Sequence, residues 1–220
     1  MKIVVIDDHV LMREMLVKIC REALPASTVA GAGDAVSGIA LCQTTQPDLI
    51  ILDLGLPDRD GLDALDDLLK VSPHSKVIAL SGYSDAFTLH RVLNSKLSGF
   101  VDKKEQTITQ LATAIQAVLG GTRYFSPAVS QSLLAQRKDP AAFDKILSAR
   151  EQELLCLFGR GLSNEEIAAK VHLSELTVRN HRCRTMSKLG LRTSAELIRY
   201  ALEKGFTHVD ASTPASAAHS

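Results

Sequence analysis

The sequence predicts an α/β domain with a doubly wound, five-stranded parallel sheet, followed by a small all-α domain of four helices. Short aliphatic runs alternate with helix-period segments through the first 120 residues, and most of the runs end on or beside a polar side chain. From Leu147 onward only helical signals occur. The length of 220 residues and the apolar content of 45% fit two modest globular domains.

Five aliphatic runs are the predicted strands of the first domain, residues 1–120. They are KIVVI (2–6), STVAGAG (27–33), DLIILD (48–53), KVIALS (76–81) and GFVD (99–102). Segments with apolar residues at helical spacing, such as VLMREMLVKICREAL and LDALDDLLKV, lie between them. This alternation is typical of a flavodoxin-like parallel sheet with helices on both faces, because parallel strands need crossover connections.

The pattern changes after Gly120 and Gly121, and we expect residues 121–145 to form a partly helical linker. The second domain, residues 146–206, is divided into helices by capping residues, which are Ser148, Ser163, Ser174 and Thr193. A short helix, a turn and then a long helix predict a helix-turn-helix. The tail, residues 207–220, is small and polar without periodicity and is predicted to be disordered.

Composition excludes several classes of protein. The four cysteines are far apart, with no C-x-x-C pair, so the sequence indicates neither a zinc site nor a disulfide framework. No apolar run reaches the roughly 18 residues of a membrane span, and the N-terminus lacks a signal-peptide layout. We therefore predict a cytoplasmic protein that has no membrane partner.

The formal net charge of zero hides an asymmetry between the two halves of the chain. Residues 1–120 hold 11 Lys and Arg against 15 Asp and Glu, whereas residues 121–220 hold 14 against 10. One interpretation is an acidic module joined to one that binds a polyanion, and the other is chance scatter of surface charge.

Polar residues follow four of the predicted strands and converge, because the carboxyl ends of parallel strands meet at one edge of the sheet. They are Asp7, Asp8, Asp53, Ser81 and Lys103. Three carboxylates with one lysine suit Mg2+, which can bridge a carboxylate and a phosphoryl oxygen. Asp53 is then the predicted nucleophile, and Ser81 and Lys103 donate to the transferred group. Taken singly, each residue could instead be a helix cap, a solvated turn or a surface charge.

The first domain resembles the receiver domain of two-component response regulators, in the motifs VIDDH, LDLGLPDRDG, ALSGYS and GFVDKK. The resemblance implies that Asp53 accepts phosphate from a histidine kinase. It also implies that Asp8 and Asp53 bind Mg2+ with the main-chain carbonyl of Gly55, and that Asp7 assists through water. Phe100 falls at the position of a switch aromatic, although simple core packing explains it equally well. Lys96 and Leu97 replace the small pair that is usual before the fifth strand.

The third helix of the second domain is basic, with Arg179, Arg182, Arg184 and Lys188, which suits phosphates and base edges. A solvated basic helix face is the alternative.

The segment resembles a LuxR-type DNA-binding domain, and the whole chain resembles a response regulator of the NarL/FixJ class. The resemblance implies a recognition helix in which Arg179, Asn180 and Cys183 face bases. It places Thr177 at a phosphate and Lys188 near the DNA backbone. Val178, Arg182 and His181 lie on the same helix, and the first two also belong to the predicted DNA-binding set. Cys183 and Thr185 depart from the usual residue types.

We predict a phosphorylation-dependent transcriptional regulator rather than an enzyme, which binds double-stranded DNA and forms a homodimer when phosphorylated. An apolar stripe of Leu197, Ile198 and Ala201 on the last helix could pair two subunits or only close its own core. Two alternatives are a DNA-binding regulator whose receiver-like module dimerises without phosphate, and a Mg2+-dependent aspartyl-phosphate phosphatase.

Overall fold

The computed structural model describes residues 1–104 and 108–208. The strands are β1 Lys2–Ile6, β2 Thr28–Ala32, β3 Leu49–Asp53, β4 Lys76–Ser81, β5 Gly99–Asp102 and β6 Tyr124–Phe125. The helices are α1 Val10–Ala23, α2 Ala35–Thr45, α3 Gly61–Val71, α4 Ala86–Leu93, α5 Ile108–Leu119, α6 Pro127–Lys138, α7 Phe143–Ile146, α8 Ala149–Gly159, α9 Asn164–Val171, α10 Glu175–Leu189 and α11 Ser194–Lys204. None of the helices in these ranges has both the length and the apolarity that a membrane span requires.

The chain forms two compact units, one of residues 1–84 and 89–134 and the other of residues 85–88 and 135–220. The first unit contains a parallel sheet in the order β2-β1-β3-β4-β5-β6. The doubly wound α/β prediction is confirmed, but the predicted number of five strands is wrong. The sixth strand is only two residues long, so no alternation of apolar and polar residues could mark it in the sequence.

The register of the sheet brings the polar strand ends together. Asp53 pairs with Leu80 of the neighbouring strand, and Ser81 pairs with Asp102 of the next. Hydrogen bonds continue the ladder past the strand ends, from the Asp7 amide to the Ala32 carbonyl. The main chain just after the strand end is therefore held by the same type of hydrogen bond as the strands themselves.

Each face of the sheet packs against its own set of helices, because successive strand residues point to opposite faces. In β3, for example, Ile50 and Leu52 lie in the core beneath α2 and α3. Leu49 and Ile51 lie in the opposite core, beneath α1 and α5. All four are fully buried, which explains why β3 is a continuous apolar run up to Asp53.

The packed core of the first unit continues past residue 120, where the sequence places the end of the receiver domain. Val129 and Leu133 of α6 are buried in the same cluster as the apolar residues of α2 and α3. The start of α6 therefore packs as part of the sheet domain, although it falls inside the predicted linker of residues 121–145.

The second unit contains the four predicted helices, α8 to α11, preceded by the short α7. The side chains of Ser148, Ser163, Ser174 and Thr193 all accept a main-chain N–H at their helix starts, and the first two form complete capping boxes. These capping predictions are confirmed. Thr207, the first residue of the predicted tail, is buried. The tail from residue 209 lies outside the described residues.

Thr185 of α10 is fully buried, and none of the described groups forms a hydrogen bond with its hydroxyl oxygen. A buried hydroxyl without a partner destabilises a fold, because it has lost its hydrogen bonds to water. The threonine at this position, which departs from the usual residue type, therefore lowers the free energy of unfolding.

Thr185→Val is expected to raise the free energy of unfolding by about 1 kcal/mol, because valine keeps the shape and removes the unpaired hydroxyl. Chemical denaturation of the full chain measures this. Thr113→Val is the control, since the Thr113 hydroxyl donates to the Thr109 carbonyl at 2.8 Å on an exposed helix face. A Thr185→Val protein that is less stable than the wild type would show that the hydroxyl has a partner in solution.

Candidate functional sites

A lysine joins two buried carboxylates at the carboxyl edge of the sheet. The Lys103 ammonium lies 2.7 Å from Asp53 Oδ2 and 2.9 Å from Asp7 Oδ2. The Asp7 side chain has no exposed surface and that of Asp53 is only 5% exposed. The sheet therefore gathers two acids and their cation into one small pocket, as the positions at the strand ends predict.

The charge of Lys103 is secured by these carboxylates. Burial alone would lower the pKa of the ammonium group, but hydrogen bonds and the negative charges of Asp53 and Asp7 outweigh burial. The pKa of Lys103 is consequently raised above its usual value. The lysine is a fixed cation at neutral pH, placed to donate to an anionic group that binds at Asp53.

Four residues at this edge each offer one ligand atom to a metal ion, and these atoms lie within 4.8 Å of one another. They are Asp7, Asp8, His9 and Asp53. Asp8 Oδ1 is buried and lies 2.6 Å from His9 Nδ1. Three carboxylates this close together fit a divalent cation, since oxygen ligands are those that Mg2+ prefers. The three aspartates are predicted from the sequence, whereas His9 has no predicted role.

The loop after β3 is fitted closely around Asp53. The Gly55 N–H donates to Asp53 Oδ1 at 3.1 Å, so the residue predicted to offer its carbonyl to a metal also orients the carboxylate. A side chain at Gly61 would overlap the main-chain carbonyl oxygen of Asp53. The turn that follows the buried strand therefore requires glycine at position 61, and it returns the chain directly beside Asp53.

Ser81 and Phe100 occupy the neighbouring strands β4 and β5. The Ser81 side chain is buried, and its hydroxyl accepts the Tyr83 N–H at 3.0 Å. Phe100 is fully buried in the core that α2, α3 and α4 cover. Its inward position agrees with both interpretations of the sequence, a switch aromatic that points inward and a residue of the core.

The exposed face of α10 carries three of the residues predicted to face DNA bases. Arg179, Asn180 and Cys183 are exposed. Thr177 is half-buried at the helix start, where its hydroxyl lies 2.7 Å from the hydroxyl of Ser174. Leu176 is 66% exposed on the first turn of the helix and was not among the predicted contacts. An apolar side chain at the start of a recognition helix can contact thymine methyl groups. The sequence does not show whether Leu176 is buried or exposed, so this candidate contact could not be predicted from it.

Two further predicted DNA contacts on α10, Val178 and Arg182, have partners within the helical unit. Val178 is fully buried in the core. The Arg182 guanidinium lies 4.5 Å from the centre of the Phe158 ring and donates to the Leu162 carbonyl at 2.9 Å. These contacts hold α10 against α8 and against the turn before α9.

Lys188, predicted to lie near the DNA backbone, has a partner in its own domain. Its ammonium lies 2.7 Å from Glu151 Oε2. The Glu151 side chain is only 6% exposed, and it also accepts the Ser148 N–H in the capping box of α8. Burial alone would raise the pKa of Glu151, but hydrogen bonds from Lys188 and Ser148 hold it below its usual value. The pair links the end of α10 to the start of α8.

Lys188→Ala is expected to lower the free energy of unfolding by about 1–2 kcal/mol, because it leaves the buried Glu151 without its charged donor. The loss should be present near neutral pH. It should shrink as acid protonates Glu151, since a lowered pKa stabilises the fold above about pH 4.3 and this stabilisation is lost as pH falls through the folded pKa.

Thermal unfolding at neutral and acidic pH measures this loss, with Lys170→Ala on the exposed surface of α9 as the control. If Lys188→Ala is as stable as the control but lowers the salt dependence of DNA binding by one unit, the sequence interpretation of a phosphate contact is correct.

The apolar stripe of the last helix is mostly used within its own unit. Leu197 and Ala201 of α11 are fully buried in the core that α8 and α10 also line. Ile198 is half-buried. The stripe therefore closes its own core in this structure, which is the second of the two interpretations of the sequence.

Two family models match the chain. Residues 3–116 match the response regulator receiver domain, and residues 145–201 match the bacterial regulatory proteins of the luxR family. The first match covers the sheet unit with Asp7, Asp53, Ser81 and Lys103. The second covers α8 to α10 and most of α11.

The chain also matches relatives over nearly its whole length. The chain is 33% identical to the oxygen regulatory protein NreC of Staphylococcus carnosus over 213 residues, which is 93% of this chain and 98% of that protein. RcsB of Salmonella enterica serovar Typhimurium, solved with promoter rprA and the phosphomimetic BeF3-, is 25% identical and covers 91% of this chain and 98% of its own, with a TM-score of 0.66. A structure of two RcsB dimers on two parallel DNAs is 26% identical and covers 92% and 98%, with a TM-score of 0.63.

Proposed function

Because the chain belongs to the two-component response regulators that join a receiver domain to a LuxR-type DNA-binding domain, we propose that Asp53 accepts a phosphoryl group from a histidine kinase and that α10 reads DNA. The observation that carries the proposal is the Lys103 ammonium between Asp53 and Asp7 at the carboxyl edge of the sheet. A nucleophilic carboxylate beside a fixed cation is what transfer of an anionic group to an aspartate requires.

The transfer is a displacement at phosphorus. An oxygen of Asp53 attacks the phosphorus of a phosphorylated histidine, and the P–N bond breaks. The bonding electron pair stays on the imidazole nitrogen, which then takes a proton. Asp53 becomes an acyl phosphate, while Lys103 and the Ser81 hydroxyl donate to oxygens of the transferred group.

Asp7, Asp8, Asp53 and the Gly55 carbonyl would hold Mg2+. The metal would offset the repulsion between the Asp53 carboxylate and the anionic phosphoryl donor. The convergence of the Asp7, Asp8 and Asp53 carboxylates within 4.8 Å supports this placement, because a bound cation would offset their mutual repulsion.

The exposed part of α10 is the proposed DNA-reading surface. Arg179 and Asn180 can read guanine and adenine in the major groove, and Cys183 lies one turn further along the same face. Thr177 at the helix start is placed for a phosphate contact. Val178, Arg182 and Lys188 support this helix through their contacts within the helical unit.

Phosphorylation is proposed to favour a homodimer that binds paired half-sites on double-stranded DNA. The solved RcsB dimers on DNA support this arrangement for the family. Symmetric dimers bind half-sites about one helical turn, roughly 10 base pairs, apart.

The proposal is tested by selecting DNA from a random library with the full chain and acetyl phosphate. The expected result is a paired motif with half-sites about one turn apart. Recovery of DNA without any sequence preference would contradict the DNA-reading role of α10. Steady release of inorganic phosphate from small phosphoesters would instead favour a phosphatase.

A further inference from the structure

His9 lies at the acidic pocket, and its side chain does not cap the helix that it begins. It is the N-cap residue of α1, yet its side chain makes no capping hydrogen bond. The imidazole points to the carboxylates instead, with Nδ1 2.6 Å from Asp8 Oδ1 and 3.6 Å from Asp7 Oδ1. The His9 N–H also donates to Asp7 Oδ1 at 2.9 Å, which fixes the backbone beside that carboxylate.

The imidazole nitrogen lies close enough to the carboxylate oxygens to share one metal ion with them. Octahedral ligands about 2.1 Å from a metal lie about 3 Å from one another. The two Nδ1–oxygen distances of 2.6 and 3.6 Å lie on either side of this value. At 2.6 Å, Nδ1 pairs directly with Asp8 Oδ1, and a bound cation would hold both atoms in place of this contact.

Lys103 does not contact the carboxylate oxygens that lie nearest to His9. It contacts Oδ2 of Asp7 and Oδ2 of Asp53, whereas His9 lies nearest to the other oxygen of Asp7. The lysine and a metal can therefore be held by different oxygens of the same carboxylates. The pocket offers three carboxylates and one imidazole nitrogen, all within 4.8 Å of one another.

We propose that His9 Nδ1 is a ligand in this pocket and that it raises the affinity of the pocket for late first-row transition metals such as Ni2+ but not for Mg2+. The inference rests on the proposed metal site and extends its donor set. Mg2+ prefers oxygen ligands and gains little from an imidazole, whereas Ni2+ accepts nitrogen readily and stands higher in the affinity order of divalent metals.

Equilibrium dialysis of metal-stripped full chain against Ni2+ and, separately, Mg2+ tests the proposal. Only the Ni2+ that excess Mg2+ displaces is counted, which excludes unrelated surface sites. His9→Ala should weaken this Ni2+ binding by about tenfold or more, a loss that even the removal of an outer-shell partner can cause. Mg2+ affinity should change by less than about twofold. His74→Ala, which removes an exposed histidine at a distance in sequence from the pocket, should bind both metals like the wild type.

Three outcomes would overturn the proposal. Unchanged Ni2+ affinity in His9→Ala would show that the imidazole is not a ligand. Equal weakening of Ni2+ and Mg2+ would show that His9 only positions the carboxylates. If Asp8→Asn leaves Mg2+ binding intact, the proposed metal site is itself misplaced, and this result is distinct from a loss of selectivity at a correct site.

Discussion

Asp53→Asn is expected to abolish phosphorylation of the protein by acetyl phosphate and Mg2+. Among the described carboxylates, Asp53 ends a fully buried central strand and contacts the Lys103 ammonium at 2.7 Å. Asparagine keeps the shape of the side chain but offers a neutral amide, which is a poor nucleophile. Intact-mass spectrometry should show one phosphoryl group on the wild type and none on the variant.

The control for this experiment is Asp66→Asn, which removes a carboxylate that is 73% exposed on α3. This variant should gain the phosphoryl group to the same extent as the wild type. Phosphorylation of Asp53→Asn to the wild-type level would show that another residue is the acceptor, and the geometry of Lys103 would then need a different explanation.

Arg179→Ala is expected to weaken binding to the specific operator by about 1–3 kcal/mol and to flatten base preference at one position of each half-site. Arg179 is exposed on the outer face of α10, next to the fully buried Val178, so the core fixes the direction in which the helix presents it. A bidentate arginine contact with guanine accounts for an effect of this size.

Competition binding across single-base operator variants at two salt concentrations measures the preference. Arg184→Ala is the matched control, because it removes the same charge from another exposed position of the same helix. It should weaken all sequences alike and lower the salt slope by about one unit. Full base preference in Arg179→Ala would contradict the assignment of this residue as a base contact.

Much of the sheet domain could be predicted because each buried strand and each helix has a recognisable pattern of apolar residues in its own short segment. Buried parallel strands are short aliphatic runs, and their carboxyl ends must meet, so Asp53, Ser81 and Lys103 could be assigned to one edge from their positions alone. The two-residue strand β6 could not be predicted, because so short a segment carries no periodicity.

The orientation of α10 was harder to predict from sequence. Its basic residues suggest a uniformly basic DNA-facing helix, but a charged side chain can also find a partner inside its own domain. Arg182 lies over Phe158 and Lys188 pairs with Glu151, and both partners belong to the distant helix α8. Pairing across helices depends on the packing angle, which sequence spacing alone does not give. The position of His9 beside the carboxylates similarly depends on the rotamer of a loop residue.

The central claim is that phosphorylation of Asp53 controls DNA binding, and titration of a labelled operator with the full chain, with and without acetyl phosphate, tests it most directly. The wild type should bind more tightly when acetyl phosphate and Mg2+ are present, whereas Asp53→Asn should bind with the same affinity in both conditions. Equal affinity of the phosphorylated and unphosphorylated wild type, with phosphorylation verified by mass, would contradict the claim and favour a regulator that binds DNA independently of phosphate.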